Sequence, residues 1–173
     1  MAKKSSGGTP ATVALTKGGV AFTVHAYAHT EGATNFGEEA AAAMGVDRDR
    51  VYKTLVVDAG GELVVAVVAV AQQLDLKALA GTAGAKKASM ADPAAAARST
   101  GYVVGGISPL GQRTLLRTFV DRSAEDFETI FVSAGKRGLQ VELAVGDLLR
   151  LTGGQLSSLG ARREPPPTIE KIR

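Results

Sequence analysis

The sequence predicts a single α/β domain in which helices flank a mixed β-sheet. The chain has 173 residues, a length that fits one domain, and 45% of them are hydrophobic, which is enough for a core. Segments with strand and helix patterns interleave without the strict βαβ alternation of a parallel sheet, and there is no internal repeat. These observations favour a sheet of mixed strand directions covered by helices.

Capping residues define the predicted helices. Thr9-Pro10 suits the N-cap and first position of a helix, and Asp92-Pro93 repeats the pattern before an alanine-rich segment. Thr34 or Asn35 is the expected cap of the second helix. In chain order, the predicted helices cover residues 10–17, 36–44, 75–79, 93–99 and 144–152, with one helical turn at 123–127.

Apolar runs, several with period-two alternation, predict the strands. Two long runs, Val51 to Asp58 and Glu62 to Ala71, are joined through Gly60-Gly61, which is a hairpin signal. The other predicted strands are shorter and cover residues 21–27, 86–90, 115–120, 129–133 and 139–143. The longest apolar run, Leu63 to Ala71, predicts that the second of these strands is buried.

The two ends of the chain differ in composition from the rest. Residues 1–8 are polar and rich in glycine and serine, and we expect them to be disordered. Residues 161–173 contain three consecutive prolines, which predict an extended tail. The folded domain is therefore expected at residues 9–160.

Composition excludes several classes of function. The absence of cysteine excludes a disulfide, a thiolate metal site and a cysteine nucleophile. No signal-peptide pattern is present, and the longest apolar run, Leu63 to Ala71, is about half of what a membrane span needs. We therefore expect a cytoplasmic protein without a membrane partner. A net charge of +3 is too small for a duplex-DNA binder but permits contact with one end of an RNA.

Lys53 is the residue that most directly indicates function. It lies in a predicted strand and shares a face with Val51, Leu55 and Val57, because alternate strand side chains point the same way. A desolvated ammonium is costly, so this lysine must reach water, find an anionic partner or serve a ligand. Lone strand lysines most often reach solvent, and the rest of the sequence must decide between these interpretations.

Two glycine-containing segments are candidate binding loops. Residues 101–111 contain four glycines and a proline, and consecutive N–H groups in such a loop can bind an oxyanion or a phosphate. The segment matches neither nucleotide-binding fingerprint and could equally be an ordinary turn. Residues 132–138 place Ser133 and Gly135 before two cations, Lys136 and Arg137, an arrangement that suits phosphate or a polar surface turn.

The remaining polar residues give weaker indications. His25 and His29 span a strand and its exit without a pattern of nearby ligands, so no metal or other cofactor is predicted. A serine–histidine triad is poorly supported, since neither Ser108 nor Ser133 lies in a nucleophile-elbow sequence. The cation pairs Lys86-Lys87, Lys136-Arg137 and Arg162-Arg163 are either solvated surface or contacts to an RNA backbone.

Seven segments occur in order along the chain with a characteristic spacing: Thr34-Asn35-Phe36-Gly37, Val51-Tyr52-Lys53-Thr54-Leu55, Gln73-Leu74-Asp75-Leu76-Lys77, Met90-Ala91-Asp92-Pro93, Arg98-Ser99-Thr100-Gly101-Tyr102, Gly105-Gly106-Ile107-Ser108-Pro109-Leu110-Gly111 and Gly135-Lys136-Arg137-Gly138-Leu139. Taken together, they resemble one family, the YbaK-type Cys-tRNA(Pro) deacylases of the YbaK/EbsC family. These deacylases are relatives of the editing domain of prolyl-tRNA synthetase, and the resemblance runs from about Thr9 to Leu151.

The resemblance implies a strongly curved mixed sheet and an editing function. Prolyl-tRNA synthetase mischarges tRNA(Pro) with cysteine, which is close to proline in size, so a second site must clear the product. Members of the family remove that cysteine in trans. The implied partners are the charged acceptor end of tRNA(Pro) and prolyl-tRNA synthetase, with no DNA.

The resemblance also assigns residues. Lys53 matches the essential lysine of the family, and Gly105 to Pro109 matches its Gly-x-x-x-Pro motif. Relatives often carry aspartate at the position of Gln140, so this chain departs from the pattern there. The implied catalytic residues are Lys53, Gly105 and Gly106. The residues expected to bind substrate are Tyr27, Phe36, Ile107, Ser108, Pro109, Ser133, Gly135 and Gln140.

The implied mechanism is substrate-assisted. The cysteine thiol attacks its own ester carbonyl, and proximity supplies much of the rate. The N–H groups of Gly105, Gly106 and Ile107 would stabilise the oxyanion, and Lys53 would orient the terminal adenosine or its phosphate, lower the barrier electrostatically or act as a base. Attack by water is the rival mechanism. Two alternatives to Cys-tRNA(Pro) deacylation remain: a deacylase that prefers Ala-tRNA(Pro), and a non-catalytic module that binds the acceptor end or the synthetase.

Overall fold

The structure, a computed structural model, describes residues 8–30, 32 and 35–162. The predicted disorder of the N-terminal segment falls outside these residues, apart from Gly8. So do Thr34, expected as a helix cap, Arg163 and most of the predicted proline-rich tail.

The described residues contain five α-helices, and four of them begin at a capping side chain. The side chains of Thr9, Asn35, Asp75 and Asp92 each accept a hydrogen bond from an N–H in the first turn, which satisfies a donor that has no partner within the helix. The helices are α1 (Pro10–Lys17), α2 (Phe36–Met44), α3 (Leu76–Ala83), α4 (Pro93–Thr100) and α5 (Val145–Thr152), with a 3-10 helix at Arg122–Asp126.

Within the residues that the structure describes, ten strands are arranged in three sheets. They are β1 (Phe22–Ala26), β2 (Tyr52–Ala59), β3 (Glu62–Ala69), β4 (Gln72–Leu74), β5 (Ala88–Met90), β6 (Arg117–Asp121), β7 (Thr129–Lys136), β8 (Leu139–Ala144), β9 (Gln155–Ser157) and β10 (Gly160–Arg162). A mixed five-stranded sheet has the order β5-β2-β3-β6-β9, in which β3, β6 and β9 are parallel neighbours. An antiparallel sheet has the order β1-β8-β7, and β4 pairs with β10. The predicted α/β class with a mixed sheet is confirmed.

The core lies on both faces of the five-stranded sheet. Tyr52, Val65 and Val67 pack towards the three-stranded sheet, with Leu15 of α1 and Leu148 of α5 completing that layer. On the opposite face, the apolar layer contains Val57, Val64, Ala66, Val68, Leu79, Phe119 and Leu159. This two-sided burial explains the continuous apolar sequence of β3.

Several boundaries differ from the sequence prediction, and three of these differences have an identifiable structural cause. β3 ends at Ala69 rather than Ala71, because the Ala69 N–H donates to the side chain of Gln72 at 2.9 Å and the chain turns there. The prediction that α3 ends at Leu79 was wrong, since the helix continues until Gly84 adopts a left-handed conformation. β10 extends to Arg162, two residues beyond the predicted domain end, because it pairs with β4.

Candidate active site beside Lys53

A cavity of about 450 Å³ opens where β2, the start of α2, α4, the glycine loop and the sheet containing β7 and β8 meet. Here "glycine loop" denotes residues 101–111. Seven of the residues predicted to act in catalysis or binding line this cavity although they come from distant parts of the chain: Tyr27, Phe36, Lys53, Gly105, Ile107, Ser133 and Gln140. The fold therefore gathers most of the predicted site in one place.

Lys53 is the only charged side chain among the described residues that line the cavity. Its neighbour across the sheet is Val68, and its Nζ donates a hydrogen bond to the main-chain oxygen of Gln72 at 2.9 Å. Leu55 and Val57 contribute to the apolar layer on that face, as the strand alternation predicts. The lysine is thus held at the edge of an apolar layer and beside the cavity.

A buried network supports the carbonyl that Lys53 contacts. The Gln72 side chain donates to Asp121 Oδ2 at 2.9 Å, and Asp121 Oδ1 accepts from the N–H groups of Leu159 and Gly160. Burial alone raises the pKa of the Asp121 carboxyl, but hydrogen bonds from Ser123, Gln72 and Leu159 outweigh it, so its pKa lies below the ordinary value. Asp121 is therefore a fixed carboxylate that holds Gln72 in place.

Two aromatic residues form one side of the cavity. Burial raises the pKa of Tyr27, whose hydroxyl also interacts with the side chain of Gln140. Phe36 begins α2, and the guanidinium of Arg137 lies over its ring, 4.6 Å from the centroid. A cation over an aromatic face is attracted by the ring electrons, so Arg137 and Phe36 support each other at the rim.

Two side-chain oxygens at the cavity are buried without a hydrogen-bond partner: Thr54 Oγ1 and Gln140 Oε1. An unsatisfied buried polar atom typically costs about 1–3 kcal/mol. Both atoms can accept a hydrogen bond, so a ligand with an N–H, O–H or S–H group would relieve this cost. Thr54 and Gln140, which both line the cavity, are therefore candidates for a polar contact with a ligand.

The glycine loop approaches the cavity through Gly105. This residue has φ of +93°, and a Cβ there would lie 2.5 Å from Arg137 Nε and 2.9 Å from the Phe36 ring. Gly106 does not line the cavity, and its N–H donates to the Val103 carbonyl at 2.9 Å. Of the three N–H groups predicted to bind an oxyanion, those of Gly105 and Ile107 have no partner within the described residues.

Four predicted site residues lie outside the cavity lining: Gly106, Ser108, Pro109 and Gly135. Ser108 is fully buried, and its Oγ accepts the Leu110 N–H at 3.2 Å. Gly135 has φ of +107° at the irregularity in β7, where a Cβ would come within 2.8 Å of Tyr102. Both residues shape the backbone next to the cavity instead of facing it.

The two histidines do not line the cavity, and each contacts a glutamate. His25 contacts Glu142 at 3.1 Å, and His29 contacts Glu39 at 2.8 Å. Within the part of the chain that the structure describes, no group of three or more histidine or acidic side chains could hold a metal ion. In the same residues, no helix is long and apolar enough to cross a membrane.

Comparison with known protein families provides the deciding observation. The family model described as the aminoacyl-tRNA editing domain matches residues 30–151, which include all seven cavity residues named above except Tyr27. The chain belongs to the aminoacyl-tRNA editing domain family. The resemblance to the YbaK/EbsC deacylases is confirmed.

Named relatives of this editing domain differ in the amino acid that they remove. A protein of Enterococcus faecalis, provisionally named Cys-tRNA(Pro)/Cys-tRNA(Cys) deacylase EbsC, is 41% identical over 124 residues, covering 70% of this chain and 75% of that protein. The multifunctional Ser/Thr-tRNA deacylase ProXp-y of Escherichia coli K12 is 36% identical over 94 residues, covering 54% of this chain and 56% of that protein.

Solved structures show the same editing-domain fold. A crystal structure described as a candidate trans-editing enzyme for prolyl-tRNA synthetase has a TM-score of 0.79 at 23% identity, covering 93% of this chain and 99% of that one. The crystal structure of the hypothetical protein APE2540 has a TM-score of 0.78 at 23% identity, covering 88% and 100%.

Sequence analysis missed several residues of the editing-domain cavity. Thr54 was assigned only to the face opposite Lys53, and Arg137, which lies at the cavity rim, was considered only as a phosphate contact or a surface cation. Met90, Ala91, Pro93 and Ala96 also line the cavity. For all of these residues except Ala96, the available signal was their position inside the motifs that carry the family resemblance.

Proposed function

We propose that this protein is a trans-editing deacylase that removes cysteine from mischarged Cys-tRNA(Pro). The observation that carries the proposal is the cavity in which Lys53, the two unpartnered oxygens and the Gly105 backbone converge. In this proposal, the aminoacyl group enters the cavity and the terminal adenosine lies at its rim. Membership of the aminoacyl-tRNA editing family supports the ester substrate, and the EbsC relative supports cysteine.

The proposed chemistry uses the thiol of the substrate. Its sulfur attacks the ester carbonyl carbon, and the carbon–oxygen bond to the ribose breaks as a cyclic thiolactone forms. The thiol proton passes to the departing ribose oxygen, so tRNA leaves with a free hydroxyl. Among the described residues that line the cavity there is no histidine or acid, and the sequence has no cysteine, which favours a mechanism that needs no protein nucleophile.

Each cavity residue then has a proposed part. The N–H groups of Gly105 and Ile107 stabilise the oxyanion of the tetrahedral intermediate, and Lys53 supplies positive charge beside the ester. Tyr27 and Phe36 bound the space for the aminoacyl group, with Ser133 and Gln140 at its polar side. Gly106, Ser108, Pro109 and Gly135 maintain the loop and strand geometry around them.

The acceptor end of tRNA(Pro) and prolyl-tRNA synthetase are the proposed macromolecular partners. A net charge of +3 suits contact with a short stretch of RNA backbone. The description of a structural neighbour as a candidate trans-editing enzyme for prolyl-tRNA synthetase supports the synthetase as the partner. We place the reaction in the cytoplasm, where tRNA is charged.

A second candidate function is deacylation of tRNA that carries a small amino acid whose side chain is neutral and has no thiol. Thr54 Oγ1 and Gln140 Oε1 can accept a hydrogen bond from a hydroxyl as readily as from a thiol. The ProXp-y relative, a Ser/Thr-tRNA deacylase, supports this alternative. Alanine is the other small candidate, and it would require attack by water.

Deacylation assays with wild-type protein distinguish these candidates. The substrates are tRNA(Pro) charged with cysteine, alanine, serine or proline, and the control is Lys53→Ala. Rapid loss of cysteine alone, with a thiolactone as the first product, would support the proposal. Free cysteine as the first product, after correction for thiolactone hydrolysis, would favour water attack. Binding of tRNA without turnover of any ester would leave only a binding module.

A further inference from the structure

Arg137 connects the β7–β8 hairpin to the glycine loop at the cavity rim. Its Nη2 donates a hydrogen bond to the Val104 carbonyl at 2.7 Å. Charged donors form hydrogen bonds about twice as strong as neutral ones. The same guanidinium lies over the Phe36 ring, so Arg137 is supported from α2 while it holds the loop.

The Val104 carbonyl belongs to the same peptide unit as the Gly105 N–H. The peptide is planar, with its C=O and N–H pointing in opposite directions. A donor fixed on the Val104 oxygen therefore also fixes the direction of the Gly105 N–H, away from Arg137. Because glycine accepts φ of either sign, this peptide could otherwise rotate.

The loop has no room for a side chain at Gly105 or Gly106. A Cβ on Gly105 would lie 2.5 Å from Arg137 Nε, and a Cβ on Gly106 would lie 2.9 Å from Lys136 Cα. The loop backbone therefore lies directly against the hairpin. The Gly106 N–H closes a turn on Val103, whereas the N–H groups of Gly105 and Ile107, two residues that line the cavity, have no partner within the described residues.

We propose that Arg137 is a positioning residue that locks the Val104–Gly105 peptide with the Gly105 N–H directed at the oxyanion. The arginine does not touch the substrate ester in this arrangement. It acts through the peptide by holding and polarising the donor. The inference rests on the proposed deacylase function and adds to it a residue outside the cavity lining.

Single-turnover deacylation of Cys-tRNA(Pro) tests the inference with Arg137→Gln, Arg137→Lys and the control Arg150→Gln. Arg150 is an exposed arginine outside the cavity lining that also contacts a main-chain oxygen, so its substitution removes an equal charge. We expect Arg137→Gln to lower kcat about tenfold to a hundredfold. This reduction is smaller than the one caused by removing an oxyanion donor itself, because the Gly105 N–H is still present. KM should change less than about threefold, since ground-state binding is unaffected. Arg137→Lys should restore part of kcat.

An increase in KM with unchanged kcat would overturn the proposal and make Arg137 a phosphate contact. Unchanged kinetics would also overturn it. Absence of activity in the wild type would instead count against the proposed function. In that case, the Gly105 amide NMR signal still tests the lock: Arg137→Gln should cause exchange broadening at Gly105, and an unaltered signal would overturn the inference.

Discussion

Lys53 reaches from β2 to β4, where its Nζ lies 2.9 Å from the main-chain oxygen of Gln72. Gln72 is itself held through its side chain, which bonds to the Ala69 N–H and to buried Asp121. The acceptor can move only if these bonds break. The position of the lysine at the cavity is therefore set by a network that extends away from the cavity.

Replacing Lys53 should remove activity without unfolding the protein. For Lys53→Met we expect deacylation to fall at least about a hundredfold, because a fixed charge beside the ester is lost. The free energy of unfolding should change by about 1 kcal/mol or less, since one hydrogen bond is lost and a lysine stem is replaced by an apolar chain. Chemical denaturation and single-turnover assays measure the two effects. Exposed Lys77→Met is the control, and wild-type activity in Lys53→Met would exclude the lysine from the reaction.

Thr54 and Thr118 should respond in opposite ways to substitution by valine. Thr54→Val removes an unpartnered buried oxygen, so stability should stay equal or rise by about 1 kcal/mol, while kcat/KM falls about tenfold through loss of a substrate contact. Thr118→Val removes a hydroxyl that donates to the Leu116 oxygen, so stability should fall by about 1 kcal/mol with activity retained. Equal activity in Thr54→Val and wild type would show that this oxygen does not bind the substrate.

Gly105 and Gly146 form a second matched pair. Gly105→Ala places a Cβ 2.5 Å from Arg137 Nε at a φ of +93°, so we expect a loss of about 1–3 kcal/mol and at least tenfold lower kcat. Gly146 lies in α5, where an added Cβ would meet no atom of a neighbouring element within 4 Å, so Gly146→Ala should stabilise by up to about 1 kcal/mol. Thermal unfolding and deacylation rates check both. Normal kcat in Gly105→Ala would argue against a tightly constrained loop.

Asp121 should contribute to the loss of stability in acid. Its folded pKa lies below the unfolded value of about 3.9, so its contribution is present above that pH and is lost as pH falls through the folded pKa. Between the folded pKa and the unfolded pKa of Asp121, the unfolded chain binds a proton that the folded protein does not bind. Asp121→Asn should therefore be less stable at pH 7 but lose less stability between pH 5 and pH 2. Unfolding by urea across this range measures the slope, and exposed Glu128→Gln should follow the wild type.

Local sequence signals predicted most of the secondary structure. Thr9-Pro10 and Asp92-Pro93 begin helices because capping depends on a few adjacent residues. The end of β3 was missed because it depends on the Gln72 side chain, and β10 was missed because its pairing partner lies almost ninety residues earlier. Such long-range pairing leaves no local pattern to read.

The candidate site was predictable only in part for the same reason. The alternation of β2 placed Lys53 with Leu55 and Val57, and the family resemblance drew attention to Gly105 and Gln140. Neither could show that Ser108 is buried against Leu110, since a motif does not state which of its side chains faces a cavity. The contact of Arg137 with Val104 likewise depends on how two loops pack.

The pairing of β10 with β4 sets a limit on how far the protein can be shortened from its C-terminus. Leu159 and Gly160 donate hydrogen bonds from their N–H groups to Asp121. β10 pairs with β4, and the first residue of β4, Gln72, accepts the hydrogen bond from Lys53. A fragment that stops at residue 151, where the family match ends, would lack these donors. The minimal active fragment should therefore include Arg162, and domain borders taken from the family match alone would give a protein in which Lys53 is held less firmly.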